Sequence, residues 1–370
     1  MASKIHFPNL NGLRFIAALL VIIHHIEQYK ACFDIPSYYK SIPFVGIIGN
    51  LGVILFFVLS GFLITYLLLV EKEKVKTIKI KHFYLRRILR IWPLYMLTLL
   101  ISLLILPQFD LYKETFNLSI ELPNTFPLYI IMLPNIVLSI YGFIPFASHT
   151  WSIGTEEQFY LLWPLIVKRF QTNYLLVLFI LIIIIHMIIR GTLWTLDSNS
   201  EESLIISLNI FWETFSIHTM AIGGIFAILY KQKSILLKIL LNKWFFLCIT
   251  MIASIAILKG QWVSYIHKEL YASMFGIIIL NLAVNKNYKN ILEFKLLNEL
   301  GKISYGLYMF HPVAIFITIY FAKQINSYSN WLIYPICIMI SICFSYFSYH
   351  YFERFFIKLK SRFTVVKSSS

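Results

Sequence analysis

Charge is scarce in this sequence. Asp, Glu, Lys and Arg together make up 13% of 370 residues, while 59% are hydrophobic. A soluble domain is nearer 45–50% apolar, so this chain lacks the polar surface to stay in water. Cysteine is also scarce: Cys32, Cys248, Cys337 and Cys343 are scattered, and no pair has metal or redox spacing. They read as buried apolar residues, and no metal is expected. The period-2 alternation of a membrane barrel is missing. No strong internal repeat is visible, which weighs against a transporter. The apolar N-terminus lacks a small-residue cleavage site, because "HHIEQYK" follows it. It is expected to stay as a first helix rather than leave as a signal peptide.

What is present is a series of apolar runs near 12–28, 44–70, 84–106, 126–141, 155–168, 174–190, 204–230, 244–258, 269–285, 303–322 and 331–352. Runs of about 20 residues make the chain an all-α polytopic membrane protein. The net charge of +15 sits in short loops between these runs, where it sets topology and meets anionic headgroups. Membrane lipid is therefore the expected partner of the basic residues, and no nucleic acid is. If all eleven runs cross, the basic 231–243 loop and the basic C-terminal tail fall outside, against the positive-inside rule. If 126–141 stays re-entrant or interfacial, about ten spans remain, with both termini cytoplasmic. Pro127 and Pro134 favour that segment over 155–168, the other short run. The acidic loops (Asp110, Glu114 and Glu121; Asp197, Glu201 and Glu202) then lie outside.

"RFIAALLVIIHH" (14–25) puts Arg14 and His25 in one apolar run. Eleven steps of about 100° return to within roughly 20° of the starting face, about 16 Å along the axis. His24 points roughly 80° away from Arg14. The plain readings are a snorkelling anchor for Arg14 and an interhelical hydrogen bond for His25. Two ionisable groups on one intramembrane stripe point instead to function. A neutral imidazole can take a proton from a hydroxyl, and an arginine can bind an anionic cosubstrate.

Four further stretches carry chemistry. "FFVLSGFLITYLL" (56–68) buries Ser60 and Gly61, with close helix packing the plain reading for the glycine. "HFYLRRILRIWPLY" (82–95) puts Arg87 and Arg90 on one face; Arg86 reads as an anchor, and Pro93 as a kink that splays the entrance. "HTWSIGTEEQFYLLWPL" (149–165) clusters His149, Trp151, Glu156, Glu157 and Tyr160. Its plain reading is Thr155 as a helix cap with the acids in the first turn. "LGKISYGLYMFHPV" (300–313) brings Ser304, Tyr305, Tyr308 and His311, of which Tyr305 fits an interfacial belt.

Taken together, these stretches resemble the acyltransferase-3 family of integral membrane O-acyltransferases. The matching patterns are a basic residue and a histidine with ten residues between them (Arg14, His25), F-F-x-L-S-G-F around Ser60, R-x-x-R (Arg87, Arg90), W-S-x-x-x-E-x-x-F-Y, which places the family acid on Glu156, and S-Y-x-x-Y-x-x-H-P. "YFERFF" (351–356) resembles the terminal signature, with Glu353 and Arg354 paired or interfacial. The patterns run in family order from residue 9 to 356. One departure is His218 in "FSIHTMAIGGIFAIL", where an R-x-D-like pair is expected. Residues 1–356 read as the acyltransferase domain and 357–370 as a short basic and polar tail. The resemblance implies a stand-alone member without an SGNH-type hydrolase domain, acting alone or with a separate periplasmic partner.

The resemblance implies transfer of an acyl group, acetyl above all, from acetyl-CoA or another acyl-CoA in the cytoplasm. The acceptor is a hydroxyl of a cell-envelope glycan or another lipid-linked or surface molecule. Arg14, Arg87 and Arg90 are the expected donor site, His25 the base or transient acyl carrier, and Glu156 its support. Ser60, Trp151, Tyr160, Tyr308 and His311 are candidates for substrate contact. The expected location is the bacterial cytoplasmic membrane. Two rivals are a transporter or flippase for a glycan precursor, and a non-enzymatic assembly partner.

Overall fold

In a computed structural model, the described residues are 5–116, 122–197 and 202–366. Glu121 and Glu201, two of the acids assigned to outer loops, fall outside them, as do the last four residues of the tail. Apolar sequence in lipid must satisfy its own backbone, and helices dominate accordingly. The first half of the chain holds α1 (Leu10–Cys32), α2 (Pro43–Val75), α3 (Ile80–Leu100), α4 (Asp110–Phe116), α5 (Leu122–Ile130), α6 (Pro134–Tyr141) and α7 (Trp151–Arg169). Next come α8 (Thr172–Asp197), α9 (Ser203–Thr214), α10 (Ile217–Lys231), α11 (Leu237–Leu240), α12 (Lys243–Leu258) and α13 (His267–Val284). The last are α14 (Lys295–Lys302), α15 (Ser304–Gln324), α16 (Asn330–Phe347) and α17 (Arg354–Ser361).

Among the described residues, seven segments are long and apolar enough to cross a membrane: α1, α2, α3 with its continuation to Gln108, α8, α9–α10, α15, and α16–α17. The other three runs read from the sequence as spans are α7, α12 and α13. They are shorter or carry charge: α12 has 16 residues, α7 includes Glu156 and Glu157, and α13 opens with Lys268 and Glu269. The 126–141 run is divided between α5 and α6. Met132 takes a left-handed backbone (φ 63°) between them, and Pro134 opens α6. Helices of nine and eight residues reach only about 14 and 12 Å, against a hydrocarbon core of about 30 Å. Pro93 sits inside an α3 that stays helical from Ile80 to Leu100.

Burial sorts the helices into two rings. The spanning windows of α2, α9–α10 and α15 are 78% buried, whereas that of α8 is 17% buried. Along α8, Tyr174, Val177, Leu181, Ile185 and Ile188 are exposed, as are Trp244, Met251 and Leu258 on α12. These surfaces suit lipid and not water. The inner ring closes on small residues. A Cβ on Gly61 of α2 would lie 1.9 Å from the Met220 carbonyl oxygen, and one on Gly223 of α10 would lie 2.2 Å from that of Val58. The two backbones meet through reciprocal glycines, the device by which lipid-embedded helices pack closely. At the start of α1, Asn9 takes a left-handed backbone (φ 66°). Its amide donates to the Leu282 and Tyr288 carbonyls at 2.8 Å and accepts from the Leu292 N–H at 2.7 Å. This pins α1 to the α13–α14 connection.

Gly61→Ala is therefore expected to lower stability by about 3 kcal/mol or more. Gly46→Ala, also on α2, would place its Cβ 3.5 Å from the nearest atom. It should change stability by less than about 1 kcal/mol. Thermal unfolding in detergent separates the two; equal shifts would contradict the crossing.

Candidate active site

A cavity of about 680 Å³ lies between α1, α2, α3, α7, α15 and α17. That volume is within the usual range for small-molecule sites, about 300–1,000 Å³. Its wall holds Arg14, Arg87 and Arg90, and also Ser60, Glu156, Tyr160 and Tyr308. Seven of the ten sequence-predicted site residues thus share one space. A second hollow of about 590 Å³, along α8 and Tyr265, has no charged residue among those lining it.

The cavity is strongly basic. Arg86 and Lys360 join the three predicted arginines in its wall, and Lys360 feels the charge of all but itself. These cations are not equivalent. Arg90 donates to Glu353 at 2.8 Å, and Arg86 to Glu71 at 3.4 Å and to the Phe363 carbonyl at 2.7 Å. Arg87 instead lies over the rings of Tyr160 and Phe83, 5.2 and 5.4 Å from their centres, with its Nε buried and without a hydrogen-bond partner. Arg14 reaches only the Asn11 side chain, at 3.4 Å. Two guanidinium groups therefore keep donors free for an anionic ligand, and their planar forks suit phosphate.

Arg86 reads as an anchor from its place in the sequence, but its side chain forms part of the wall. Nor are residues 357–366 a free tail. α17 packs against α3, and Ile357, Lys360 and Thr364 line the cavity. Glu353, expected beside Arg354, pairs with Arg90 on α3, and Arg354 is exposed.

α7 begins at Trp151, four residues before Thr155. Thr155 does not cap it: its hydroxyl donates to the Thr214 carbonyl at 2.9 Å, inside the bundle. Glu156 and Glu157 thus sit in the second turn, where the helix terminus no longer accounts for their charge. Glu156 accepts from the Ser60 hydroxyl at 2.6 Å, and Glu157 from the Trp92 indole at 3.2 Å.

His25 does not meet Glu156. Its partner is a second histidine: His25 Nδ1 lies 2.7 Å from His311 Nε2, with the rings stacked 10° from parallel. His311 Nδ1 lies 2.6 Å from the Tyr308 carbonyl oxygen. A carbonyl only accepts, so this bond fixes both tautomers. His311 carries its proton on Nδ1 and accepts at Nε2; His25 donates from Nδ1 and keeps the lone pair on Nε2. The Tyr308 hydroxyl bonds the His149 carbonyl at 2.6 Å and the Ser152 hydroxyl at 2.7 Å, joining the cavity wall to the pair. His149 stands edge-on to His311, 5.2 Å between ring centres. Burial pushes the His149 imidazole down to about 3, so it stays neutral.

Trp151 lies outside the wall, packed on Phe57 and facing the Lys268 ammonium at 6.0 Å. His24 bonds the Val45 carbonyl at 2.8 Å and fills the space over Gly49.

A family model described as an acyltransferase domain matches residues 7–350. The chain belongs to the acyltransferase-3 family. Among curated proteins it is similar to the O-acetyltransferase OatA of Staphylococcus aureus, strains NCTC 8325 / PS 47 and COL. Each is 28% identical over 390 aligned residues, covering 95% of this chain and 57% of the relative. The chain thus spans little more than half the length of these relatives. No solved structure matches it. His25 and His311 are not among the residues lining the cavity; the arrangement offers free cationic donors in the cavity and a tautomer-fixed imidazole linked to its wall through Tyr308.

The Arg90–Glu353 pair gives a test of this geometry. Arg90→Met leaves a carboxylate that is only 4% exposed without its counter-charge. Such a loss costs about 3 kcal/mol. Glu353→Gln in the same chain should recover most of it, and Arg87→Met should cost less than about 1 kcal/mol. Thermal unfolding of the three variants beside the wild type checks the order.

Proposed function

We propose that this acyltransferase-3 protein is a membrane O-acetyltransferase, moving an acetyl group from acetyl-CoA, or another acyl-CoA, to a hydroxyl of an envelope glycan or other lipid-linked acceptor. One observation carries the reading: unpaired Arg14 and Arg87 donors line one cavity, and Tyr308 in its wall holds through its carbonyl the His25–His311 pair, which lies behind that wall. OatA, the similar protein of S. aureus, is named an O-acetyltransferase.

The donor phosphates would rest on Arg14 and Arg87, with Arg86, Arg90 and Lys360 supplying longer-range attraction. His25 Nε2 would take the proton of the acceptor hydroxyl as that oxygen attacks the thioester carbonyl. The C–S bond then breaks, and the proton held by His25 returns to the departing thiolate. His311 holds His25 in the required tautomer, and the Tyr308 carbonyl holds His311, much as a buried third group orients the base of a hydrolase triad. Glu156 would act through Ser60 on the cavity wall and not through His25. The alternative route, transient acetyl transfer to His25, uses the same nitrogen.

We place the arginine end of the cavity on the cytoplasmic side of a bacterial plasma membrane. The basic 72–87 and 231–243 loops support that orientation. Counting α7, α12 and α13 as spans gives ten crossings with both ends inside.

His25→Ala is expected to abolish acceptor acetylation while the protein elutes as wild type on gel filtration. Near-normal acetylation would refute the assignment. Labelled acetyl-CoA supplied without acceptor separates the two routes, since only an acyl carrier leaves label on the protein. Arg87→Lys should raise KM for acetyl-CoA about tenfold with a smaller change in kcat, as loss of one charge-assisted contact does.

A further inference from the structure

A second cluster of ionisable groups lies outside the arginine cavity, and the acetyl-transfer reading does not use it. It forms where the α9–α10 run breaks at Phe215 and Ser216. Lys268 donates to the Glu213 carbonyl left open by that break, and to the Ser216 hydroxyl at 3.0 Å. Beside them, α8, α10 and α13 bring together His186, His218 and Glu269. His218 Nε2 is 3.3 Å from Glu269 Oε1, and His186 Nδ1 is 3.7 Å from the same oxygen. One ligand atom from each residue falls within 4.8 Å of the other two. The three residues are 5%, 0% and 8% exposed.

The hydrogen bonding around this cluster is incomplete. His186 Nδ1, both ring nitrogens of His218 and Glu269 Oε2 are buried without a hydrogen-bond partner. The remaining nitrogen of His186 is accounted for: Nε2 lies 3.1 Å from the Trp212 carbonyl oxygen. That carbonyl requires the proton on Nε2 and leaves the lone pair on Nδ1, toward Glu269. Metal-binding histidines are held this way, donating their second N–H to a backbone carbonyl. The neighbouring cations are already engaged. Arg190 bonds Glu213 and the Asn209 carbonyl, and Lys268 is 2.9 Å from Glu213 Oε1, so Glu269 is not spent on them.

We propose that His186, His218 and Glu269 bind a divalent transition cation of the zinc class. Two imidazoles and a carboxylate suit such an ion better than calcium or magnesium, which take oxygen donors. Ligands at about 2.0–2.1 Å in tetrahedral array stand roughly 3.3–3.4 Å apart. Here one contact is 3.3 Å, the second is 3.7 Å, and all three atoms lie within 4.8 Å, so binding needs a small inward shift of the side chains. A shared proton between His218 and Glu269 is the competing account. It serves one contact and leaves His186 Nδ1 and Glu269 Oε2 unserved, whereas a metal engages both residues at once. Three protein ligands leave a fourth position open. The ion would clamp three helices at the break, next to Lys268 and, across its ammonium, Trp151.

The test is metal content and zinc binding by the full chain purified in detergent. Plasma mass spectrometry after gel filtration should find about one zinc per chain. After stripping with a chelator, a zinc titration should restore it and raise the unfolding temperature. Cobalt(II) in its place should give the visible absorption of a four-coordinate site. Glu269→Gln, which keeps shape and removes charge, and His186→Gln should each weaken zinc binding at least tenfold. His149→Gln, a buried histidine outside the cluster, should not. The proposal is overturned if the folded wild-type chain neither retains nor rebinds zinc, or if Glu269→Gln binds it as wild type does. If the variants fail to fold, the wild-type titration and the cobalt spectrum decide alone.

Discussion

The site depends on the hydrogen bond between His25 and His311. His311 is fully buried and must find its partners within the protein, whereas His25 is partly exposed and takes one of its bonds from the protein. The Tyr308 carbonyl, which can only accept, sets the direction of the whole chain. From that single constraint follows the identity of the basic nitrogen on His25. It also explains why His311 lies in the middle of α15, in register with His25 on α1, and why those two helices pack side by side.

The same logic of forced pairing shapes the arginine cavity. Glu353 and Glu71 are buried and claim Arg90 and Arg86, which ties α17 and the end of α2 to α3. Arg87 and Arg14 have no such claim on them and are the ones left for a ligand. The charge of the cavity is thus divided between groups that build it and groups available to work in it. The close crossing of α2 and α10 through Gly61 and Gly223 places the contact point next to Ser60, a residue of the wall.

Much of this was legible in the sequence because lipid penalises polar groups so heavily. An arginine or histidine in an apolar run stands out, and the face shared by Arg14 and His25 follows from helical geometry. The shared face did not reveal the partner of His25. His25 and His311 lie 286 residues apart, and no local pattern joins them. Thr155 looked like a cap because Ser, Thr and acidic residues favour helix starts. α7 in fact begins one turn earlier, behind the 3-10 turn at Ser148–Thr150, so the acids became interior groups. Residues 357–366 looked like a tail because Lys and Arg recur there, yet their amphipathic face is what α3 and the cavity need. The His186–His218–Glu269 cluster had no sequence signature at all, since three separate helices each contribute one residue. Only His218 was marked, as an oddity of its run.

The central claim is that the donor lies on Arg14 and Arg87 with its thioester facing His25. A cryo-EM structure of the protein bound to a thioether analogue of acetyl-CoA tests it directly. The phosphates should contact Arg14 and Arg87, and the analogue's carbonyl carbon should lie within reach of an acceptor oxygen held by His25 Nε2. Phosphates bound away from these arginines, or a reactive end pointing away from His25, would contradict it.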